Sequence, residues 1–251
     1  MIDTKVISQQ WQRMLAITRK DIRIYYSRGP VVISGILFPV FLFIAFSLGR
    51  NLPTDFMMTG LIGMGLFFAA TAVSPMVMPF EGQGRTLERL MSCPVKFEVV
   101  ILGDILASFI YGLAISLILV IITLALGLTI SSVLVFAAGL LLATICFAAL
   151  GNLFSVPPTN MPQTINMIGT VVRFPIVFIS GVFTPLEQLS GWGKDLAYIS
   201  PLTYFTDIAR HSIQHQGYFP LGVDLIILAA FSAIFLVLAM ELHARVMPKR
   251  I

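Results

Sequence analysis

Six of the chain's 28 charged side chains fall within eighteen residues, as Glu81, Arg85, Glu88, Arg89, Lys96 and Glu98. Their chemistry is ion pairing with another surface. On a helix Leu87, Leu90 and Met91 share one face, while Arg85, Glu88 and Arg89 point the other way. Segment 81–98 therefore reads as an amphipathic helix at the membrane surface, with its charged face offered to the water. A second residue with chemical consequence is Arg173, isolated in the apolar run 164–186. About nine residues into a helix rising 1.5 Å per residue, it sits roughly 14 Å deep. A cation at the bilayer centre costs at least about 2.5–3.5 kcal/mol on insertion scales. Arg173 therefore either faces a translocation route or an anionic headgroup, or snorkels to the interface if the prolines at 157, 158 and 162 delay the helix. Asp207, His211 and His215 repeat every four residues and would line one helical face. That spacing can ligate zinc, but it reads first as a solvated polar stripe, and no metal is expected.

Catalytic machinery is missing from the sequence. No G-x-x-x-x-G-K-[ST] phosphate loop occurs, nor a G-x-S-x-G, H-E-x-x-H or C-x-x-C pattern. The acidic residues are scattered rather than clustered for a divalent cation, which argues against a membrane enzyme and leaves no expected cofactor. The two cysteines, Cys93 and Cys146, suggest neither a disulfide framework nor a metal cluster.

The elements that must position these residues follow from composition. The 251 residues are 57% hydrophobic and 11% charged, with a mean hydropathy of +0.93, whereas soluble domains carry about 25% charged residues. The chain is a single membrane domain, and apolar runs of 19 or more residues make its spans helices. Six are expected, at about 31–49, 56–78, 99–128, 133–154, 164–186 and 225–240. Pro39 should kink the first, and a brief polar turn, 50–55, precedes the second. Residues 8–28 form a basic amphipathic helix suited to the interface, with Trp11, Met14, Leu15, Thr18, Ile22 and Tyr25 opposite Gln12, Arg13, Arg19, Lys20 and Arg23. No cleavable signal peptide is expected. Gly60, Gly63, Gly65, Ala69 and Ala70 should let helices approach closely, within the bundle or at a dimer seam, and Asn152 and Asn166 should join helices.

Twelve of the sixteen Lys and Arg residues lie before the first span, on the 81–98 segment or after the sixth. The positive-inside rule then puts both termini and that segment in the cytoplasm of a multi-pass cell-membrane protein. The net charge of +4 serves this topology and implies no nucleic-acid partner. Segment 187–224 lies outside.

The stretch Glu81…Gly84-Arg85-Thr86-Leu87-Glu88-Arg89-Leu90, followed by Pro94-Val95 and Leu102-Gly103, resembles the first cytoplasmic loop of type-2 ATP-binding-cassette (ABC) permeases. Ser180-Gly181…Pro185 and Pro201-Leu202-Thr203-Tyr204 are similar to the same family's elements around the fifth span and its external segment. Arg85 interrupts the family's Gly-Thr pairing, Asp104 stands where a lysine is usual, and Ser200 replaces an Asn. The resemblance implies an all-α exporter permease: an amino-terminal interfacial helix, six transmembrane helices, a coupling helix between spans two and three, and short external helices between spans five and six. It implies that ATP is bound by a separate ABC ATPase subunit docking through Glu81, Arg85, Glu88 and Arg89. It also implies a homo- or heterodimer of permeases in the lipid bilayer, and a hydrophobic or amphipathic cargo such as a drug, lipid or glycan. A secondary transporter or channel without an ATPase is the rival class, but Asp104, Asp224 and Glu241 lie near span ends rather than deep in the spans. A membrane anchor that transports nothing is the other rival.

Overall fold

Long apolar runs punctuated by Pro, Gly and charge fold as helices because backbone polar groups in hydrocarbon must bond within their own segment. The computed structural model describes residues 4–48 and 52–246, and the described residues are helical with no strands. The expected residues Arg50 and Asn51, and the basic tail after Val246, lie outside them. The helices are α1 (Thr4–Asp21), α2 (Gly29–Ser47), α3 (Thr54–Ala72), α4 (Ser74–Gln83), α5 (Thr86–Met91) and α6 (Phe97–Ala125). They continue with α7 (Val133–Leu153), α8 (Pro162–Ile179), α9 (Gly191–Ile199), α10 (Pro201–Gln214) and α11 (Leu221–Val246). A π-helical turn, Ile22–Tyr26, joins α1 to α2.

Among the described residues, five helices are long and apolar enough to cross a membrane: Thr54–Gln83, α6, α7, α8 and α11. The 19-residue α2 covers the first expected span. Thr54–Gln83 is the centre of the bundle. Its apolar window is 89% buried, against 28% for α8 and 22% for α11, which leaves those two with wide apolar outer surfaces. Gly60, Gly63, Gly65, Ala69 and Ala70 are all buried inside this one chain, so their small size serves packing within it. Phe67, Phe147, Leu202, Phe205 and Ile208 belong to the main core.

The structure departs from the sequence reading in three places. The second span is one bent element, broken at Val73 and continuing to Gln83. Pro75 and Pro79 supply the physical reason, because neither has an N–H to donate. The 81–98 segment is not one helix: residues 81–83 end α4, Arg85 adopts left-handed backbone (φ 51°), the six residues of α5 follow, and α6 begins at Phe97 after a non-helical stretch. Finally, helices do form where short external ones were expected, as α9 and α10, but α10 is packed into the bundle, with Leu202, Phe205, Ile208 and Ala209 all fully buried.

Candidate coupling and translocation sites

The loop that carries the charges is built against α1. Met14, Ile17, Thr18 and Asp21 form the buried stripe of α1, while Trp11 and Leu15 are exposed beside it and Arg19 and Arg23 face outward. The helix therefore has three faces, for protein, hydrocarbon and water. Its protein face meets α6 at Gly103, where Thr18 Oγ1 donates to the Gly103 carbonyl at 2.9 Å. A Cβ at Gly103 would lie 2.8 Å from Ile17 Cγ2, so only glycine admits this contact.

Two cations of α1 reach the two ends of the charged loop. Lys20 Nζ pairs with Glu81 at the end of α4, and it also lies 3.0 Å from Asp21 Oδ1. Arg13 donates to the carbonyl of Pro94 at the loop's exit. Burial lowers the Lys20 ammonium's pKa, but Asp21 and Glu81 more than offset that, so it ends above its ordinary value. The Asp21 carboxyl is pushed up to about 6, chiefly by burial, against the pull of Lys20.

The expected coupling residues thus divide. Glu81 is buried at 3% exposure and is committed to Lys20. Arg85, Glu88 and Arg89 are exposed, while Leu87 is buried among Ile17, Met78, Ile101 and Ala148. A six-residue helix is thereby anchored by one leucine beneath and by α1 at both flanks, and it presents its charges outward.

The bend of the second span lies directly above this assembly. Pro75 lacks the N–H that would bond the Thr71 carbonyl one turn back. Arg173 of α8 replaces it: Nη2 donates to Thr71 O at 2.5 Å, and the guanidinium lies 5.5 Å from the Phe154 ring centroid. With 5% exposure, Arg173 is turned into the packing between α3, α7 and α8. On the far side of the break, Ser74 Oγ and Asn152 Nδ2 both donate to Asp104 Oδ2 at 2.7 Å, all three residues being buried. Asn152 thus joins helices as expected. Asn166 does not; it is exposed on α8. Sequence reasoning missed Asp104 and Ser74 as partners; Pro75 and Pro79 were the signal that could have marked a break there.

At the opposite end of the bundle an open cavity of about 810 Å³ is lined by Phe56, Phe183, Glu187, Asp207, Arg210 and Tyr218, among others. Arg210 Nη2 donates to the Gly181 carbonyl at 2.5 Å, and the guanidinium sits 4.5 Å above the Phe56 ring. Burial lowers the pKa of this guanidinium. Asp207 and His211 line one face of α10 as expected, but Asp207 is buried rather than solvated, and His215 ends the helix in left-handed backbone (φ 58°) and is exposed.

Residues 10–213 match the family described as ABC-2 type transporter. The chain is similar to the daunorubicin resistance ABC transporter permease protein DrrB1 of Streptomyces coeruleorubidus, at 26% identity over 98 residues. That alignment covers 39% of this chain and 33% of the relative, so it spans only about a third of that protein. It is also similar to the inner membrane transport permease YadH of Escherichia coli K12, at 25% identity over 195 residues, covering 76% of this chain and 75% of the relative.

Proposed function

Because the chain belongs to the ABC-2 type transporter family, we propose that this transport permease is the membrane subunit of an ATP-driven exporter and that α5 receives the push of a separate ATPase. The family implies such an ATP-binding partner. The observation that carries the reading is the pinned loop: α5 exposes Arg85, Glu88 and Arg89 while Lys20–Glu81 and Arg13–Pro94 tie its flanks to α1. A short helix held at three points passes displacement on rather than absorbing it, because packed contacts shift between discrete arrangements.

In this reading ATPase closure drives α5, and α1 and α4 move with it as one body. The break at Val73–Pro75 is the hinge between that body and α3. Arg173 and the Asp104–Asn152 pair hold the two sides of the hinge, so Arg173 acts on the pathway through the backbone of the second span. The topology is six spans with both termini and α5 cytoplasmic, as the distribution of basic residues favours. ATP is bound and hydrolysed by the partner; this chain supplies the path, in a permease dimer.

The cavity at the far end serves as the exit mouth. Phe56 and Phe183 beside Arg210 and Glu187 suit an amphipathic cargo, an apolar body with a polar or charged group. The daunorubicin resistance named for one relative fits that class.

The test is capture of a co-expressed phosphate-loop ATPase encoded beside this permease. The combined variant Arg85→Ala, Glu88→Ala, Arg89→Ala should lose capture, while its thermal unfolding stays within about 0.5 kcal/mol of wild type, as exposed substitutions do. Undiminished capture by that variant would overturn the docking assignment.

A further inference from the structure

A cluster of ligand-type side chains left unused by this mechanism lies where α10 meets α11. One oxygen each of Asp207 and Asp224 and a ring nitrogen of His211 all fall within 4.8 Å of one another. Asp207 and His211, four residues apart, project from the same face of α10. Asp224 comes from the first turn of α11.

The two carboxylates differ in how they are satisfied. Asp207 has donors: Tyr218 N–H donates to Oδ1 at 2.8 Å and Phe219 N–H donates to Oδ2 at 2.8 Å. Asp224 is fully buried, and both of its oxygens lack a hydrogen-bond donor. Among the described residues no Lys or Arg nitrogen comes within 4.0 Å of either group. Arg210, the cation nearest along α10, is turned to Gly181 and Phe56. A buried carboxylate with no donor, set against a second carboxylate, calls for a positive charge between them.

We propose that Asp207, His211 and Asp224 form a binding site for a divalent transition-metal ion, with zinc as the probe, that staples α10 to α11. Two carboxylates and an imidazole are a zinc-type ligand set. The orienting contacts are present: the two N–H groups fix Asp207, and His211 Nε2 lies 2.7 Å from the Phe219 carbonyl. Gly217 packs so closely on the imidazole that a Cβ there would collide with Nε2, which fixes the ring plane. Ligand atoms on a tetrahedral zinc with bonds of 2.0–2.1 Å are about 3.3 Å apart, so separations of at most 4.8 Å close by up to about 1.5 Å around the ion. Entry is open, because Asp207 and Gly217 line the 810 Å³ cavity. The bound ion would fix the 215–220 turn and the rim of that cavity.

The experiment uses the full chain, purified through a tag without histidine, stripped with chelator and placed in lipid nanodiscs. Zinc chloride should bind at one ion per chain by elemental analysis and raise the unfolding temperature by several degrees, an effect chelator reverses. Asp224→Asn removes the charge repulsion, so it should fold at least as stably without metal yet bind zinc at least about 100-fold more weakly. His211→Gln should weaken zinc similarly. Sub-stoichiometric zinc in wild type would overturn the site, as would an equal zinc response in Asp224→Asn. So would stabilisation that follows acidification alone, which would mean that the carboxylates share a proton instead.

Discussion

Replacing Arg173 with Met removes the hydrogen bond to the Thr71 carbonyl that Pro75 orphans, and also the contact over Phe154. Leaving a buried carbonyl unpaired costs about 1–3 kcal/mol, and the lost cation–π contact about 0.5–2 kcal/mol. Against these stands relief from holding a cation within the membrane, at least about 2.5–3.5 kcal/mol. The terms oppose one another, so the single variant says little about the clamp. A double-mutant cycle isolates it. Pro75→Ala restores an N–H one turn from Thr71, so Arg173→Met in that background no longer orphans the carbonyl, while the other two terms stay the same. We expect Arg173→Met to be more destabilising in the wild-type background than in the Pro75→Ala background by about 1–3 kcal/mol, the cost of the unpaired carbonyl. Reversible unfolding of wild type, both single variants and the double variant in nanodiscs, followed by helical signal against denaturant, measures this. Additivity within about 0.3–0.5 kcal/mol would refute the claim that Arg173 replaces the missing amide.

Gly103→Val forces a side chain into Ile17 and should lift α1 from α6, costing about 1–3 kcal/mol; hydrogen exchange over 8–21 should accelerate while the exchange of α7 is unchanged. Asp21 gives a pH signature with a definite sign. Its folded value of about 6 lies above its ordinary 3.8, so its contribution is complete below about 3.8 and is lost as pH rises through about 6. Docking of α1 should therefore be firmer at pH 5 than at pH 7.5, and Asp21→Asn should flatten that difference. An unchanged pH dependence in the variant would assign the effect to another group.

The positions of the long apolar helices were legible because apolar runs of this length must fold as helices, and the boundaries at 54, 97, 133 and 162 fall where Pro, Gly and charge interrupt them. The charged face of α5 was legible too, since Leu87 and Leu90 alternate with Glu88 and Arg89 at helical spacing. Glu81 was not separable from Glu88 in the sequence. Both are acidic residues of one polar stretch, and only the path of α1, sixty residues earlier, buries one and leaves the other in water. Arg173 posed the same difficulty: depth along its own helix was readable, but the carbonyl it caps is that of Thr71, orphaned by a proline of the second expected span. Asp224 was hidden because its partners lie on α10, across a turn whose closure depends on Asp207 accepting two backbone N–H groups. Pairings between distant segments leave no periodicity to read.

The ties from Lys20 to Glu81 and from Arg13 to the Pro94 carbonyl bear on how partner choice can be re-engineered. The proposed docking surface is a composite of two stretches of chain, so residues 81–96 are not a portable module. A chimera given only another permease's loop would have to rebuild both the Lys20–Glu81 pair and the Arg13 contact to Pro94 against the native amino-terminal helix. Transplanting residues 8–28 together with the loop moves both halves of the proposed receiving surface as one unit.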